Sequence, residues 1–301
     1  MVIKNAIEEL KKSIVNQDEL VETLIITLLA QGHILIEGLP GIAKTTAIKN
    51  LSKLFAMKFS RVQFTPDLLP SDIIGAEIYS MKDGSFFIKK GPIFSDLLLA
   101  DEINRSPAKV QSALLEAMQE RQVTIGEHSY DLKWPFLVMA TMNPIEQEGV
   151  YSLPEAQLDR FLMKVIVHYP KKIEDEVDIL NVFDQQMEFK KFNLQELKHT
   201  IDKIEKVRIE DAIKQYIATI IIKTREHPDI EIGASPRGSI ALLKVAKVVA
   251  YLHDRDYIMP SDVIEYIKPV LRHRLKLKFQ AQSEGKTEDS IIDEIVKSID
   301  L

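Results

Sequence analysis

The sequence of 301 residues contains no cysteine, which excludes disulfide bonds, thiolate metal sites and cysteine nucleophiles. Its longest mainly apolar stretch, residues 24–30, is too short to span a bilayer, and its first residues lack the apolar core of a signal peptide. The formal net charge of −6 does not favour a polyanion, so nucleic acid is not the expected partner. These absences predict a cytoplasmic protein without a membrane segment.

Two common kinds of site also lack their motifs. The seven histidines include no i,i+4 pair and have no cysteine beside them, so a structural zinc site has little support. The Gly-x-Ser-x-Gly motif of a serine hydrolase is missing.

What is present is a pattern of buried strands separated by helices. The chain is 46% hydrophobic, enough for a large core plus a smaller second domain. Short apolar runs predict parallel strands at residues 33–36, 97–100, 136–141 and 165–168, with residues 61–64 as a fifth. Strands that alternate with helical patterns are typical of an α/β fold, a doubly wound parallel sheet flanked by helices.

The strand pattern ends at Pro170, and the remaining sequence fits amphipathic helices. Two helix starts are explicit, at Ser235-Pro236 and at Pro260-Ser261-Asp262. We therefore predict an α/β domain over residues 1–190 and an all-helical lid domain over residues 191–301.

Residues 38–45, Gly-Leu-Pro-Gly-Ile-Ala-Lys-Thr, follow the first predicted strand and are typical of a loop that binds phosphate. Glycines let backbone N–H groups approach the phosphates, Lys44 supplies a cation, and Thr45 supplies a hydroxyl that helps to hold Mg²⁺. The general pattern has glycine at the position of Ala43. Alanine fits there if its φ is below zero.

Two adjacent carboxylates, Asp101 and Glu102, end the predicted strand at residues 97–100. Phosphoryl transfer to water needs one carboxylate for hydrated Mg²⁺ and a second that orients or deprotonates the water. Asn143, after the strand at residues 136–141, is a candidate to hydrogen-bond that water or the γ-phosphate. The alternatives are a solvated strand end for the acidic pair and a turn initiator for Asn143.

Together with several further segments, these residues resemble the MoxR family of AAA+ ATPases over nearly the whole chain. The segments are residues 14–17 (Ile-Val-Asn-Gln), 37–45, 100–105 (Ala-Asp-Glu-Ile-Asn-Arg), 111–120, 153–161 (Leu-Pro-Glu-Ala-Gln-Leu-Asp-Arg-Phe) and 234–237 (Ala-Ser-Pro-Arg). MoxR-like proteins commonly have alanine before the lysine of the loop, as at Ala43. Asn16 stands where relatives usually have glycine.

The resemblance implies an AAA+ P-loop core with a parallel sheet and a helical lid, and ATP and Mg²⁺ as ligands. The implied nucleotide-binding residues are Gly38, Pro40, Gly41, Ile42, Ala43, Lys44, Thr45, Thr46 and Asp101, with Thr45 and Asp101 holding Mg²⁺. The implied catalytic residues are Glu102, Asn143 as sensor 1, Arg160 as an arginine finger toward the neighbouring subunit, and Arg237 as sensor 2. For both of these arginines the alternative is a surface ion pair. Arg105, Arg272 and Arg274 are left open, between a subunit interface and a solvated helix.

Two hairpins interrupt the α/β pattern. We predict one from residues 77–80 and 85–89, and another from residues 122–125 and 130–134 around a loop at residues 126–129. They resemble the helix 2 insert and the hairpin before sensor 1 of this branch of the superfamily, which are expected to face a ring pore or a partner. Phe86 and Phe87 fit either a buried hairpin anchor or a partner contact.

The function that the resemblance implies is Mg²⁺-dependent ATP hydrolysis by a homo-hexamer that remodels or matures a protein client. Relatives often act with partners that contain a von Willebrand factor A domain, sometimes in metal-centre insertion. The alternatives are a metal-chelatase motor subunit, a DNA-linked motor of the helicase type, and a nucleotide-binding scaffold that hydrolyses poorly. The acidic balance and the lack of a nucleic-acid module argue against the DNA-linked motor.

Overall fold

The computed structural model describes residues 2–39, 41, 44–82, 84–144, 151–183 and 189–299. Strands and helices are interspersed up to residue 167, and helices dominate after it. The α-helices are α1 Val2–Lys11, α2 Asp18–Leu29, α3 Lys44–Leu54, α4 Pro70–Ile74, α5 Ala108–Glu120, α6 Glu155–Leu158, α7 Ile173–Phe183, α8 Leu194–Glu205, α9 Asp211–Glu226, α10 Pro236–Leu252, α11 Pro260–Glu265, α12 Ile267–Leu271, α13 Phe279–Ser283 and α14 Glu288–Lys297. Short 3-10 turns cover Ile103–Arg105 and Arg272–Arg274.

Five strands form one parallel sheet in the order β2-β5-β8-β1-β9. The strands of the chain are β1 Ile34–Gly38, β2 Phe59–Gln63, β3 Gly75–Ser80, β4 Ser85–Lys90, β5 Leu97–Asp101, β6 Gln122–Ile125, β7 His128–Asp131, β8 Leu137–Met142, β9 Met163–Val167, β10 Ile230–Ile232 and β11 Lys276–Leu277. The predicted parallel sheet is therefore confirmed, with strand ends displaced by at most two residues.

The central strands are apolar throughout because both faces of the sheet are covered. Successive side chains point to opposite faces, so Ile34 and Ile36 pack with α1, α2, α3 and the C-terminal helices, whereas Leu35 packs on the other side with α5. One face of the sheet thus shares a continuous core with the helical C-terminal part. This arrangement fixes the lid helices against the α/β layer.

All five strands of the sheet end at the same edge because they are parallel. We call this the carboxyl edge; Gly38, Asp101 and Met142 end their strands there. The opposite edge, where the strands begin, is the amino edge. Helix α5 returns toward the amino edge, since Arg121 at its end donates from Nη2 to Gln31 O at 3.0 Å.

Both predicted hairpins are present, as β3–β4 and β6–β7. The loop of the second was predicted wrongly. Ile125 pairs directly with His128, so the connection is the two residues Gly126 and Glu127, and β7 begins two residues earlier than expected. Gly126 has φ +61°, which suits glycine in a two-residue hairpin turn.

Residues 189–299 are mainly helical, with a short antiparallel pair, β10–β11, which is too brief to leave a strand pattern in the sequence. The two predicted helix starts are confirmed, with Ser235 Oγ accepting from Arg237 N at 3.0 Å before α10 and Pro260 beginning α11. The division at residues 190/191 stays a prediction, and residues 184–188 beside it lie outside the described part. No helix among the described residues is long and apolar enough to cross a bilayer.

Candidate active site

The phosphate loop lies between the end of β1 and the start of α3 at the carboxyl edge. A side chain at Gly38 would place its Cβ 2.7 Å from Val167 O, so the close approach of β9 requires glycine. Gly41 has φ +83°, a conformation that other residues adopt at a cost. Pro40, Ile42 and Ala43 lie outside the described residues, and so does the prediction about the φ of Ala43.

Lys44 is the first residue of α3, and its Nζ donates to Gly38 O at 2.6 Å. Burial lowers the pKa of Lys44, while the nearby carboxylates of Asp101, Glu102 and Glu37 act in the opposite direction. The ammonium group is thus within electrostatic reach of both predicted acids. Thr45 and Thr46 follow in the first turn of α3, where unpaired backbone N–H groups and the helix dipole favour anions.

Asp101 ends β5, and its carboxylate is held on both sides. Oδ1 accepts from Thr141 Oγ1 at 2.6 Å, and Oδ2 accepts from Arg61 Nη2 at 2.6 Å and from Arg61 Nε at 3.1 Å. The Asp101 side chain is 13% exposed. Asp101 and Thr45 offer oxygen ligands of the kind that Mg²⁺ prefers, so this pair fits the metal that the sequence predicts.

Glu102 has an unusual backbone for a residue with a side chain, with φ 56° and ψ 51°. This left-handed conformation costs about 1 kcal/mol for a non-glycine residue, a strain that active sites are known to hold. Its backbone N donates to Thr141 Oγ1 at 2.9 Å. Its Oε2 accepts from Gln63 Nε2 at 2.6 Å and from Arg105 Nη1 at 2.9 Å.

Asn143 directly follows β8 and is buried at the same edge. Its main-chain oxygen accepts a long hydrogen bond from Asn104 Nδ2 at 3.4 Å. The structure therefore brings Lys44, Asp101, Glu102 and Asn143 to one edge of the sheet.

The two predicted arginines lie at the opposite, amino edge. Arg160 precedes Leu162, whose N donates to His33 O at 2.8 Å just before β1 begins. Arg237 Nη2 donates to Gln119 Oε1 at 3.1 Å, near the end of α5. Neither arginine is placed beside Lys44 of its own chain.

Arg160 is turned toward α5. Its Nη1 donates to Leu115 O at 2.9 Å, and among the described residues its buried Nε has no hydrogen-bond partner. Its neighbours Asp159 and Phe161, by contrast, form several hydrogen bonds with the C-terminal helical part. A buried Nε without a partner is unusual, because nearly all buried polar groups are paired.

The sequence of the chain was compared with those of known proteins and families. Residues 33–163 match the model of the "ATPase family associated with various cellular activities (AAA)", and residues 222–295 match the "AAA lid domain". The chain is 42% identical over 309 residues to the chaperone MoxR1 of Mycobacterium tuberculosis (strain ATCC 25618 / H37Rv), an alignment that covers 99% of this chain and 82% of that protein. The chain belongs to the MoxR family of AAA+ ATPases.

Two further similarities agree with membership of the MoxR family. The protein YeaC of Bacillus subtilis (strain 168) is 44% identical over 308 residues, covering 99% of this chain and 94% of that protein. The crystal structure of a protein from Cytophaga hutchinsonii ATCC 33406, assigned as an ATPase, superposes with a TM-score of 0.91 at 44% identity, covering 99% of this chain and 94% of that one. The chain is thus an ATP hydrolase with an AAA core and a helical lid.

Within this MoxR fold, three site residues were missed from the sequence: Arg61, Gln63 and Thr141. Gln63 and Asp101 are register partners on β2 and β5, and Thr141 is near the end of β8, so all three reach the acids across neighbouring strands. Polar residues near the ends of predicted parallel strands were the available signal.

The arginines that the sequence left open now have definite partners. Arg105 belongs to the MoxR site itself, through Glu102. Arg272 forms an ion pair with Asp289 at 2.8 Å, and Arg274 forms a buried ion pair with Asp159 at 2.9 Å. Asn16 has φ 51°, which explains why glycine is usual there and why asparagine is tolerated.

Proposed function

We propose that the chain is one subunit of an Mg²⁺-dependent ATPase ring, a homo-hexamer, in which each ATP site is shared between two neighbouring chains. The observation that carries this proposal is the separation of the site residues between the two edges of one sheet. Strands of five residues at about 3.3 Å per residue put the two edges about 15 Å apart. A location in the cytoplasm remains a prediction of the sequence.

A shared site explains this separation. At the carboxyl edge Lys44 would neutralise phosphate charge, and Glu102 would orient the attacking water. Asp101 and Thr45 would hold Mg²⁺, which would supply further neutralisation of the phosphate charge. Arg160 and Arg237 of the next chain would then meet the γ-phosphate, as head-to-tail assembly of identical chains allows.

The exposed side chains of the β3–β4 hairpin favour contact with a protein client. Its two strands and tip expose four large apolar side chains, with Met81 93% and Phe86 66% exposed. Tyr79 and Phe86 face each other across the strands with their rings 5.1 Å apart. Phe86 and Phe87 are both exposed, which favours partner contact over a buried anchor. We propose that this hairpin contacts the client or a partner that contains a von Willebrand factor A domain.

The first test is Glu102→Gln, which removes the base and keeps the shape of the side chain. The variant should bind ATP and hydrolyse it at least about 100-fold more slowly than the wild type. Glu8→Gln on the exposed side of α1 is the matched control and should hydrolyse normally. Normal turnover by Glu102→Gln would refute the assigned base, whereas a stable complex captured with it in ATP would identify the client.

The shared site is tested by mixing two inactive variants. Lys44→Ala subunits lack the phosphate cation but keep Arg160, and Arg160→Ala subunits keep the nucleotide site but lack the arginine. Co-expressed under two tags and purified by both, the mixture should regain ATPase activity at junctions where a Lys44→Ala chain offers its arginine to an Arg160→Ala chain. A mixture as inactive as its parents would refute a site shared between chains.

A further inference from the structure

The guanidinium of Arg274, in the 3-10 turn of the lid, forms hydrogen bonds with residues 159–162, the segment that carries Arg160. Its side chain is only 2% exposed. Nε donates to Asp159 Oδ1 at 2.9 Å, and Nη2 donates to Phe161 O at 2.6 Å. Nη1 donates to Leu162 O at 3.1 Å and also to Val270 O. One lid side chain therefore contacts the residues on both sides of Arg160.

Two further lid residues contact the same segment. Ser235 Oγ, at the start of α10, donates to Asp159 Oδ2 at 2.7 Å, so both oxygens of that carboxylate are bound by the lid. His273 Nε2 lies 3.0 Å from Phe161 O. The backbone around Arg160 is thus tied to the lid, and α10 carries Arg237 two residues after Ser235.

The Arg160 side chain is held much less firmly than this backbone. Within the part of the chain that the structure describes, it has one hydrogen bond, to Leu115 O, and its buried Nε is unpartnered. If the Arg160 side chain leaves this contact to reach a neighbouring chain, the position of its guanidinium depends on where its backbone is held. A displacement of a catalytic group by about 1 Å is enough to cost about 100-fold in rate.

We propose that Arg274 is the positioning residue for Arg160: it fixes the Asp159–Leu162 segment to the lid, so that Arg160 is presented to the neighbouring nucleotide only when the lid is correctly seated. This inference rests on the proposed shared site. Arginine suits the task because its planar fork offers five donors, which a lysine cannot match.

The test uses Arg274→Gln and Arg274→Lys in the full-length assembled protein. Both should lose about 10- to 100-fold in turnover while their affinity for a fluorescent ATP analogue stays within about twofold of wild type, because the phosphate loop is at the other edge. Arg274→Lys keeps the positive charge opposite Asp159. Full turnover of the lysine variant would reduce Arg274 to a charge partner and overturn the proposal.

Mixed oligomers separate positioning from general damage. Arg274→Gln mixed with Lys44→Ala should regain activity, because the Lys44→Ala chain supplies a correctly held Arg160. Arg274→Gln mixed with Arg160→Ala should not exceed the low turnover of Arg274→Gln alone, because both chains lack the same function. If Arg274→Gln does not assemble, Arg274→Lys takes its place in both mixtures.

Each outcome has one meaning. Turnover in the second mixture above that of Arg274→Gln alone, or no gain over it in the first mixture, would overturn the role of Arg274. Failure of the reference mixture, Lys44→Ala with Arg160→Ala, would instead overturn the shared site and this inference with it. Recovery in the reference mixture and in the first mixture, with none in the second, is the result we expect.

Discussion

Acidification should destabilise this protein through a buried histidine, His33, which directly precedes β1. Its Nδ1 accepts from Val138 N at 3.0 Å, and its Nε2 donates to Met118 O at 3.1 Å. The ring therefore joins β1, β8 and α5 while neutral. Burial lowers the pKa of His33 to about 4; the Met118 carbonyl opposes this shift, while the charges of Arg121 and Lys244 add to it.

The size of the effect follows from the two pKa values. The unfolded chain binds a proton at His33 below its ordinary pKa of about 6.5, whereas the folded chain does so only near pH 4. The stability that neutral His33 contributes to the folded state is therefore fully present above pH 6.5 and is lost as the pH falls toward 4. The whole difference corresponds to about 3 kcal/mol, of which about 2 kcal/mol is lost by pH 5.

The assay is urea unfolding followed by circular dichroism at pH 7.5 and pH 5.0, for the wild type and for His33→Gln. Glutamine donates and accepts hydrogen bonds but does not titrate in this range. His273 is also buried with its pKa lowered, and it contributes equally to both proteins, so it cancels. The wild type should lose about 2 kcal/mol more than the variant between the two pH values. Equal losses would show that His33 does not carry this pH dependence.

Three further predictions concern nucleotide and partner. Lys44→Ala should abolish ATP binding in a fluorescent-nucleotide titration, whereas Lys49→Ala, exposed on the same helix, should bind normally; tight binding by Lys44→Ala would contradict the role of the loop. Arg61→Ala should lower the Mg²⁺ concentration needed for half-maximal ATP binding by about threefold, because the Arg61 guanidinium no longer competes for the Asp101 carboxylate. Arg61→Lys, which keeps the positive charge, is the control. Deletion of residues 82–85 should preserve basal ATPase activity and abolish stimulation by a partner, and loss of nucleotide binding would refute a purely client-facing hairpin.

Much of the carboxyl edge could be predicted from sequence because its chemistry is local. Lys44 directly follows a glycine-rich loop, and Asp101 and Glu102 end an apolar run, so each is recognised from its neighbours in the chain. The parallel sheet followed from the same apolar runs. Family resemblance then added Arg160 and Arg237, whose roles remain predictions.

What could not be predicted depends on contacts between distant residues. Arg274 was expected at a subunit interface or on a solvated helix, yet it is buried because Asp159, 115 positions away, is opposite it. Arg61, Gln63 and Thr141 reach the acids only through strand register, which no single segment reveals. The second hairpin was predicted, but its four-residue loop was wrong because the turn needs only two residues once Gly126 adopts a positive φ.

The placement of acids and arginines at opposite edges of one sheet has a consequence for counting. If each ATP site is shared between neighbouring chains, as we propose, the first chain of an open row has a nucleotide edge that no neighbour completes, and the last chain has arginines that face no nucleotide. An open row of any length therefore has one complete ATP site fewer than it has chains. Only closure of the row into a ring completes the last site. Specific activity per chain should consequently rise with protein concentration and level off when rings are complete, so dilution alone would act as an inhibitor.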